Sequence, residues 1–128
     1  MARLKNTKLA RQIHERVKKD GSPLVLISRS ALKAQVARFR KALPRVTPYY
    51  AIKANSHRDI LKVMVAEGTC FDVASIAEMD AVLEAGAKPS QIIFANTIKP
   101  VAALKEAGLR GVDLMTFDNE CDLDKIAE

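Results

Sequence analysis

The chain has 128 residues, which is enough for one modest domain with a hydrophobic core. Apolar residues make up 48% of it and charged residues 28%, close to the average of globular proteins. No apolar run approaches the roughly 20 residues of a membrane span, and no apolar signal region follows the polar start. We therefore predict a cytoplasmic protein that makes no membrane contact.

The net charge of +6 is unevenly distributed. Residues 1–47 contain 13 lysines and arginines but only two acidic residues, whereas residues 48–128 contain eight basic and 13 acidic residues. Such asymmetry occurs in proteins that bind nucleic acid or an acidic surface. Because a single aromatic residue, Phe39, lies among these cations and forms no series of stacking platforms, we interpret them as solvated helix faces and predict no nucleic-acid partner. Nucleic-acid binding through residues 1–47 is the weaker alternative.

The two cysteines and two histidines indicate neither a disulfide nor a metal site. Cys70 and Cys121 lie far apart and lack CxxC spacing, so we expect two free, buried thiols. His14 and His57 complete no metal-ligand pattern, and no metal is predicted.

The first 47 residues are predicted to form a helix, a strand and a helix. Leu9, Ile13 and Val17 recur every four residues and predict one apolar stripe on a helix over 7–19. The apolar run 23–28 predicts a strand. A second helix is predicted over 31–43, with four apolar residues on its buried side: Leu32, Val36, Phe39 and Leu43.

From Pro48 onward, a strand followed by a helix occurs four times. The predicted strands end about 21 residues apart, which is a structural repeat. Ser56-x-x-Asp59 and Ser75-x-x-Glu78 have the spacing of capping boxes at two helix starts. The predicted strands are 49–53, 70–74, 91–95 and 112–116, and the helices are 57–67, 76–85, 100–107 and a last one starting after Asp118.

Strand–helix alternation with short loops predicts an α/β fold with parallel strands and right-handed crossovers. Four such units form either a small open sheet or half of an eightfold barrel, which needs roughly 250 residues in full. We predict the amino-terminal half of a TIM-type (β/α)8 barrel over 48–128, preceded by a separate segment over 1–47. The strand 112–116 would then be an exposed apolar edge, so we expect either a fragment or a subunit whose partner covers that edge.

Lys53 closes the run 48–52, where a charge at the end of a buried strand is unusual. In α/β proteins, ligands bind at the carboxyl ends of parallel strands. A partly desolvated lysine there can form a Schiff base with an aldehyde, and pyridoxal phosphate is the commonest cofactor that uses one. Asp72, at the end of the next strand, is a carboxylate able to orient this lysine or pair with it. The alternative is a lysine that extends to the surface and binds nothing.

Four segments resemble motifs of the fold-type III pyridoxal-phosphate decarboxylases, which act on ornithine, lysine, diaminopimelate and arginine. The segment YAIKAN over 50–55 resembles the family's Y-A-[VI]-K-[AC]-N motif, and FDVASIAE over 71–78 resembles F-D-x-A-S-x-x-E. IIFANTIK over 92–99 is similar to I-I-[YF]-A-N-x-x-K, and MTFDNE over 115–120 is similar to T-F-D-S-E. The second and third motifs look more like the ornithine decarboxylase branch. The resemblance covers nearly all the chain from Pro23.

The resemblance implies a function and roles for named residues. Lys53 would be the Schiff-base lysine, Ala51 would lie beside the coenzyme ring, and Asp72 would lie near the Schiff base. Glu78 matches an acidic position of the family, which its capping box explains equally well. The implied reaction is decarboxylation of a basic, ornithine-like amino acid to a polyamine precursor such as putrescine, by a homodimer.

The residues with which this family holds the coenzyme phosphate and the pyridine nitrogen are not found among these 128. The alternative function, which the exposed edge strand 112–116 suggests, is a non-catalytic half-barrel that acts by assembly with another chain or with itself.

Overall fold

The computed structural model describes residues 7–127, which form six α-helices and a three-stranded sheet. The strands are parallel and lie in the order β1-β2-β3. In chain order the elements are α1 (Lys8–Asp20), α2 (Arg29–Ala42), β1 (Tyr49–Ala51), a 3-10 helix (Ile52–Ala54), α3 (Arg58–Ala66), β2 (Cys70–Val73), α4 (Ile76–Glu84), a 3-10 helix (Pro89–Gln91), β3 (Ile92–Phe94), α5 (Val101–Leu109) and α6 (Glu120–Ala127). The predicted repeat from Pro48 is thus confirmed for its first three strands and for all four helices.

The two faces of β2 have different environments. Phe71 and Val73 have no exposed surface and point into the core, whereas Asp72 between them is half-buried on the other face. Asp72 is in register with Ala51 of β1 and with Ile93 of β3. The core therefore lies between the helices and one face of the sheet. Asp72 lies on the opposite face. Core members from the helices include Val36, Leu61, Met64, Met79, Val82 and Ala107.

The first segment packs more loosely than predicted. No strand forms over 23–28 in the part of the chain that the structure describes, and Val25 is 82% exposed. A strand needs a hydrogen-bonding neighbour, and none of residues 7–127 provides one to this run. The helix predicted over 7–19 forms as α1, but its apolar stripe is not buried, because α1 contains no buried residue and Leu9 is 58% exposed.

Helix α2 is attached to the barrel units through a few contacts. Val36 is buried as predicted, but Phe39 and Leu43 are exposed. Lys33 Nζ lies 2.9 Å from a carboxylate oxygen of Glu67, and Arg40 donates a hydrogen bond to the carbonyl of the following Gly68. The boundary at residue 47 stays a prediction. The assignment of residues 1–6 to the first segment also stays a prediction, because these residues lie outside the described range.

The fourth strand is much shorter than predicted. Only Met115 bridges to Phe94, supported by hydrogen bonds from the Phe94 amide to the Leu114 carbonyl and from the Thr116 amide to the Phe94 carbonyl. Val112 is buried, but Leu114 is 44% exposed. This run has a neighbour on one side only among residues 7–127, so little of it is held in a ladder.

Two smaller predictions need correction. Helix α3 is capped by the His57 side chain, which accepts from the Asp59 amide, and not by Ser56. The cysteines are free, as predicted, but Cys70 is half-buried and Cys121 is exposed. Among the described residues, no helix is both long and apolar enough to cross a membrane.

Candidate functional site

A cavity of about 160 Å³ lies at the carboxyl ends of the three strands. Each strand contributes a residue at or just after its end, as expected for ligand sites in parallel sheets. The lining residues are Ala51, Lys53, Asp72, Ala74, Glu78, Ala95 and Asn96. The structure thus brings together all three site residues predicted from the sequence, Lys53, Ala51 and Asp72.

Lys53 is placed by the short 3-10 helix Ile52–Ala54 that follows β1. Ile52 has no exposed surface and anchors this helix in the core, which leaves the next residue on the outside. The Lys53 side chain is exposed, so the predicted partial desolvation is not observed in residues 7–127. The physical reason is that three strands and one bridge surround the cavity on one side only.

Asp72 reaches the same cavity from β2. Its register with Ala51 places both residues on the sheet face that points away from the helices. The carboxylate is half-buried, and no ion pair joins it to Lys53 within the described range. Asp72 therefore lines the cavity together with Lys53, but of the two predicted roles, orienting the lysine or pairing with it, the ion pair does not form among the described residues.

The backbone of Ala74 is held from both sides by two lining side chains. Its amide donates a 2.7 Å hydrogen bond to Oε2 of Glu78, and its carbonyl accepts from Nδ2 of Asn96 at 3.4 Å. Asn96 also donates to the Ile98 carbonyl at 2.8 Å. Ser75 caps α4 by accepting from the Glu78 amide, as predicted, but the Glu78 carboxylate reaches Ala74 rather than Ser75. These bonds fix the loop that follows Asp72.

The lining fits part of a pyridoxal coenzyme. Ala51, Ala74 and Ala95 have small side chains, so the cavity floor leaves space that larger residues would fill. The Lys53 amine at that space is the kind of group to which an aldehyde attaches, and the Asp72 carboxylate lines the same space. No phosphate-binding pattern of glycines occurs in the sequence, where the five glycines lie at helix ends and turns.

Parallel strand–helix units with a lysine at a strand end are the arrangement of barrel-type domains that can hold a carbonyl cofactor. The family model for the pyridoxal-binding domain of pyridoxal-dependent decarboxylases matches residues 29–128, and the chain belongs to this family. Its fold is that of the amino-terminal portion of the (β/α)8 barrel of these enzymes, as predicted from the repeat. The cofactor of the family is pyridoxal phosphate, also as predicted.

Individual relatives agree with this assignment. The chain is 49% identical over 90 residues to ornithine decarboxylase of Mus pahari and 46% identical over 90 residues to antizyme inhibitor 2 of Xenopus laevis. Each match covers 70% of this chain and 20% of the relative, so the chain spans about a fifth of the length of the curated relatives it matches. The lysine/ornithine decarboxylase of Vibrio vulnificus, solved with putrescine, superposes with a TM-score of 0.85 at 30% identity, over 90% of this chain and 32% of that one.

Tyr50 and Lys99 lie in the motifs 50–55 and 92–99, but the sequence alone predicts no role for either. Tyr50 contacts the turn that contains Lys53, and Lys99 is buried against Asp122. The motif similarity was the available signal for both, but their partners come from the tertiary structure.

Proposed function

We propose that the protein containing this chain is a pyridoxal-phosphate-dependent decarboxylase and that Lys53 is the lysine that binds the coenzyme. The observation that carries the proposal is the shared cavity of Lys53, Asp72 and Asn96 at the ends of three successive strands. This cavity lies within the range matched by the pyridoxal-binding domain. Family membership supports the class of reaction, and the cavity supports the choice of residues.

Each lining residue has a role in this proposal. Lys53 supplies the amine to which the coenzyme aldehyde attaches, and Ala51 leaves room beside the coenzyme ring. Asp72 places a carboxylate in the same cavity as this amine. Asn96 and Glu78 hold the loop after Asp72 and so keep the carboxylate in place. Bound pyridoxal phosphate supplies the electron-withdrawing ring that stabilises the charge left on the substrate when CO2 departs.

We further propose a basic amino acid as substrate, with ornithine giving putrescine as the first choice. The supporting observation is the 49% identity to a relative named ornithine decarboxylase. Similar solved structures are named for lysine/ornithine and arginine decarboxylases, so the same assay should include all three amino acids. Release of CO2 and the amine product should be measured with the coenzyme-loaded protein and with Lys53→Ala. We expect product from ornithine that Lys53→Ala abolishes; product from none of the three, or an unaffected variant, contradicts the proposal.

A second candidate is a non-catalytic protein that acts by assembly. It is favoured by the 46% identity to a relative named antizyme inhibitor 2. The outer edge of β3, which one bridge at Met115 partly covers, is a surface that a second copy or the rest of a barrel could cover. Light scattering combined with the decarboxylation assay separates the candidates: a dimer without activity supports assembly alone, whereas an active homodimer supports the first proposal.

A further inference from the structure

The turn that contains Lys53 is closed by a hydrogen bond from a tyrosine on the preceding strand. The hydroxyl of Tyr50 donates to the backbone carbonyl of Asn55 at 3.1 Å. This bond spans the 3-10 helix Ile52–Ala54, so Lys53 lies inside the loop that it closes. The lysine is thus held in a closed turn rather than in an open loop.

Tyr50 acts from the opposite face of the sheet to the cavity. It is in register with the fully buried Phe71 and packs against the core, whereas its neighbour Ala51 is in register with Asp72 and lines the cavity. Because the half-buried ring packs against the core, its hydroxyl is a point of attachment for the turn. The position of Lys53 relative to β1 therefore depends on a residue that does not line the site.

Tyr50 bonds to the backbone carbonyl of Asn55, and the side chain of Asn55 is held by a second hydrogen bond. The side-chain Oδ1 of Asn55 accepts from the His57 amide at 3.0 Å, and His57 Nδ1 accepts from the Asp59 amide at 3.2 Å. These bonds join the turn to the first residues of α3. The Tyr50 bond is the link between this capped helix start and the strand.

We infer that Tyr50 is a positioning residue that fixes the Lys53 turn for attachment of the coenzyme. The inference rests on the proposed function of Lys53. Burial raises the pKa of the Tyr50 hydroxyl above its usual value of 10.0, so the group stays protonated and able to donate across the neutral range.

The chain offers a matched control at the adjacent position. Tyr50→Phe removes only the hydroxyl that reaches Asn55, and Tyr49→Phe removes a hydroxyl from a neighbouring ring that is 40% exposed. Both variants should be prepared in the protein that carries the whole chain. Lys62, exposed on α3, serves as an internal reference for lysine reactivity in every sample.

Two measurements test the positioning role without relying on activity. Hydrogen exchange of the amides over 52–57 should be about fivefold faster in Tyr50→Phe and unchanged in Tyr49→Phe, since one hydrogen bond is lost. The rate at which pyridoxal phosphate is trapped by cyanoborohydride at Lys53, divided by the rate at Lys62, should fall about threefold or more in Tyr50→Phe alone. Hydrogen exchange of the amides in β3, which should be equal in the two variants, separates this local change from a general loss of stability.

The outcomes separate this inference from the proposed function. Equal exchange rates over 52–57 in the two variants overturn the positioning role, whether or not the coenzyme binds. Faster exchange with an unchanged trapping ratio also overturns it, because the turn would then be loosened without effect on the lysine. If the unsubstituted protein forms no adduct at Lys53, the proposed function fails, and the role in coenzyme attachment fails with it.

Discussion

The ammonium of Lys99 lies 3.5 Å from Oδ2 of Asp122, and the two side chains are 0% and 1% exposed. Lys99 also donates to the carbonyl of Thr116 and lies 5.8 Å from the centre of the Phe94 ring. The lysine follows β3, Thr116 ends the short fourth strand, and Asp122 belongs to α6. This buried pair therefore attaches the last strand–helix unit to the sheet, where a single bridge at Met115 is the only ladder contact given by the described residues.

We predict that Lys99→Met destabilises the chain strongly. The substitution leaves Asp122 buried beside one remaining cation, Lys125, whose Nζ lies 2.9 Å from its Oδ1. Removing one member of a buried pair leaves a poorly compensated charge, and we expect the thermal midpoint to fall by about 5–10 °C. Lys105→Met on the exposed side of α5 is the control and should shift the midpoint by less than about 2 °C. Equal midpoints in the two variants would show that the pair does not stabilise the fold.

We predict that the buried carboxylate of Asp122 makes the chain less stable in acid. The hydrogen bond from Lys125 and the charges of Lys99 and Lys125 hold the pKa of Asp122 below its usual value of 3.8, despite burial. The stabilisation is therefore fully present above about pH 4 and is lost as the pH falls through the lowered pKa of the folded state. Unfolding by urea, followed from neutral to acid pH, should show the advantage of the unsubstituted chain over Asp122→Asn shrinking below about pH 4. An advantage that stays constant with pH contradicts the assignment.

The hydrogen bond between Glu78 and the Ala74 amide predicts a local contribution to stability. Glu78→Ala leaves that amide without its 2.7 Å partner and should lower the free energy of unfolding by about 1–2 kcal/mol. Glu84→Ala, on the last turn of the same helix, removes an exposed carboxylate and should change it by less than about 0.5 kcal/mol. Denaturant titration of both variants checks this, and a similar small effect at the two positions would mean that the bond to Ala74 contributes little.

Two nearby glycines should respond to alanine in opposite directions. Gly111 has φ +75, with Pro89 Cβ 3.6 Å from where a new Cβ would lie, so Gly111→Ala should cost about 1 kcal/mol. Gly108 lies in α5 with no atom within 4 Å of that position, and Gly108→Ala should stabilise by about 0.5–1 kcal/mol because alanine favours the helix. Thermal unfolding of both variants is the measurement. Shifts of the same sign would be inconsistent with the backbone geometry.

The strand–helix repeat could be predicted from the sequence because its signals are local. Each of β1 to β3 is a short, mainly apolar run, with Asp72 as the one charged residue. Ser75 at the start of α4 is recognisable from its own neighbours. The run 23–28 has the same composition, but whether it forms a strand depends on a neighbour that composition does not reveal. The run 112–116 is likewise apolar, but it forms only one bridge because it has a neighbouring strand on one side only among the described residues.

The site could be predicted in outline but not in its contacts. Lys53 and Asp72 follow successive strands, and parallel strands bring such positions to one edge, so their common cavity could be expected. The exposure of Lys53 depends on how many strands surround it. Tyr50 bonds to Asn55 around a turn, and Lys99 pairs with Asp122 on another helix. A sequence motif shows that Tyr50 and Lys99 are present but does not show which residues they contact.

The most direct test of the account is to locate the coenzyme on the chain. Borohydride reduction of the coenzyme-loaded protein, followed by trypsin digestion and mass spectrometry, identifies the modified lysine. Modification of Lys53 blocks cleavage there and should yield a single labelled peptide covering 46–58, between the cleavage sites at Arg45 and Arg58. We predict that this peptide carries the main label and that Lys53→Ala lacks it, with only the slow background labelling of exposed lysines such as Lys62 left in both proteins. A main label on another lysine, or one that is as strong in Lys53→Ala, would contradict the assignment of Lys53.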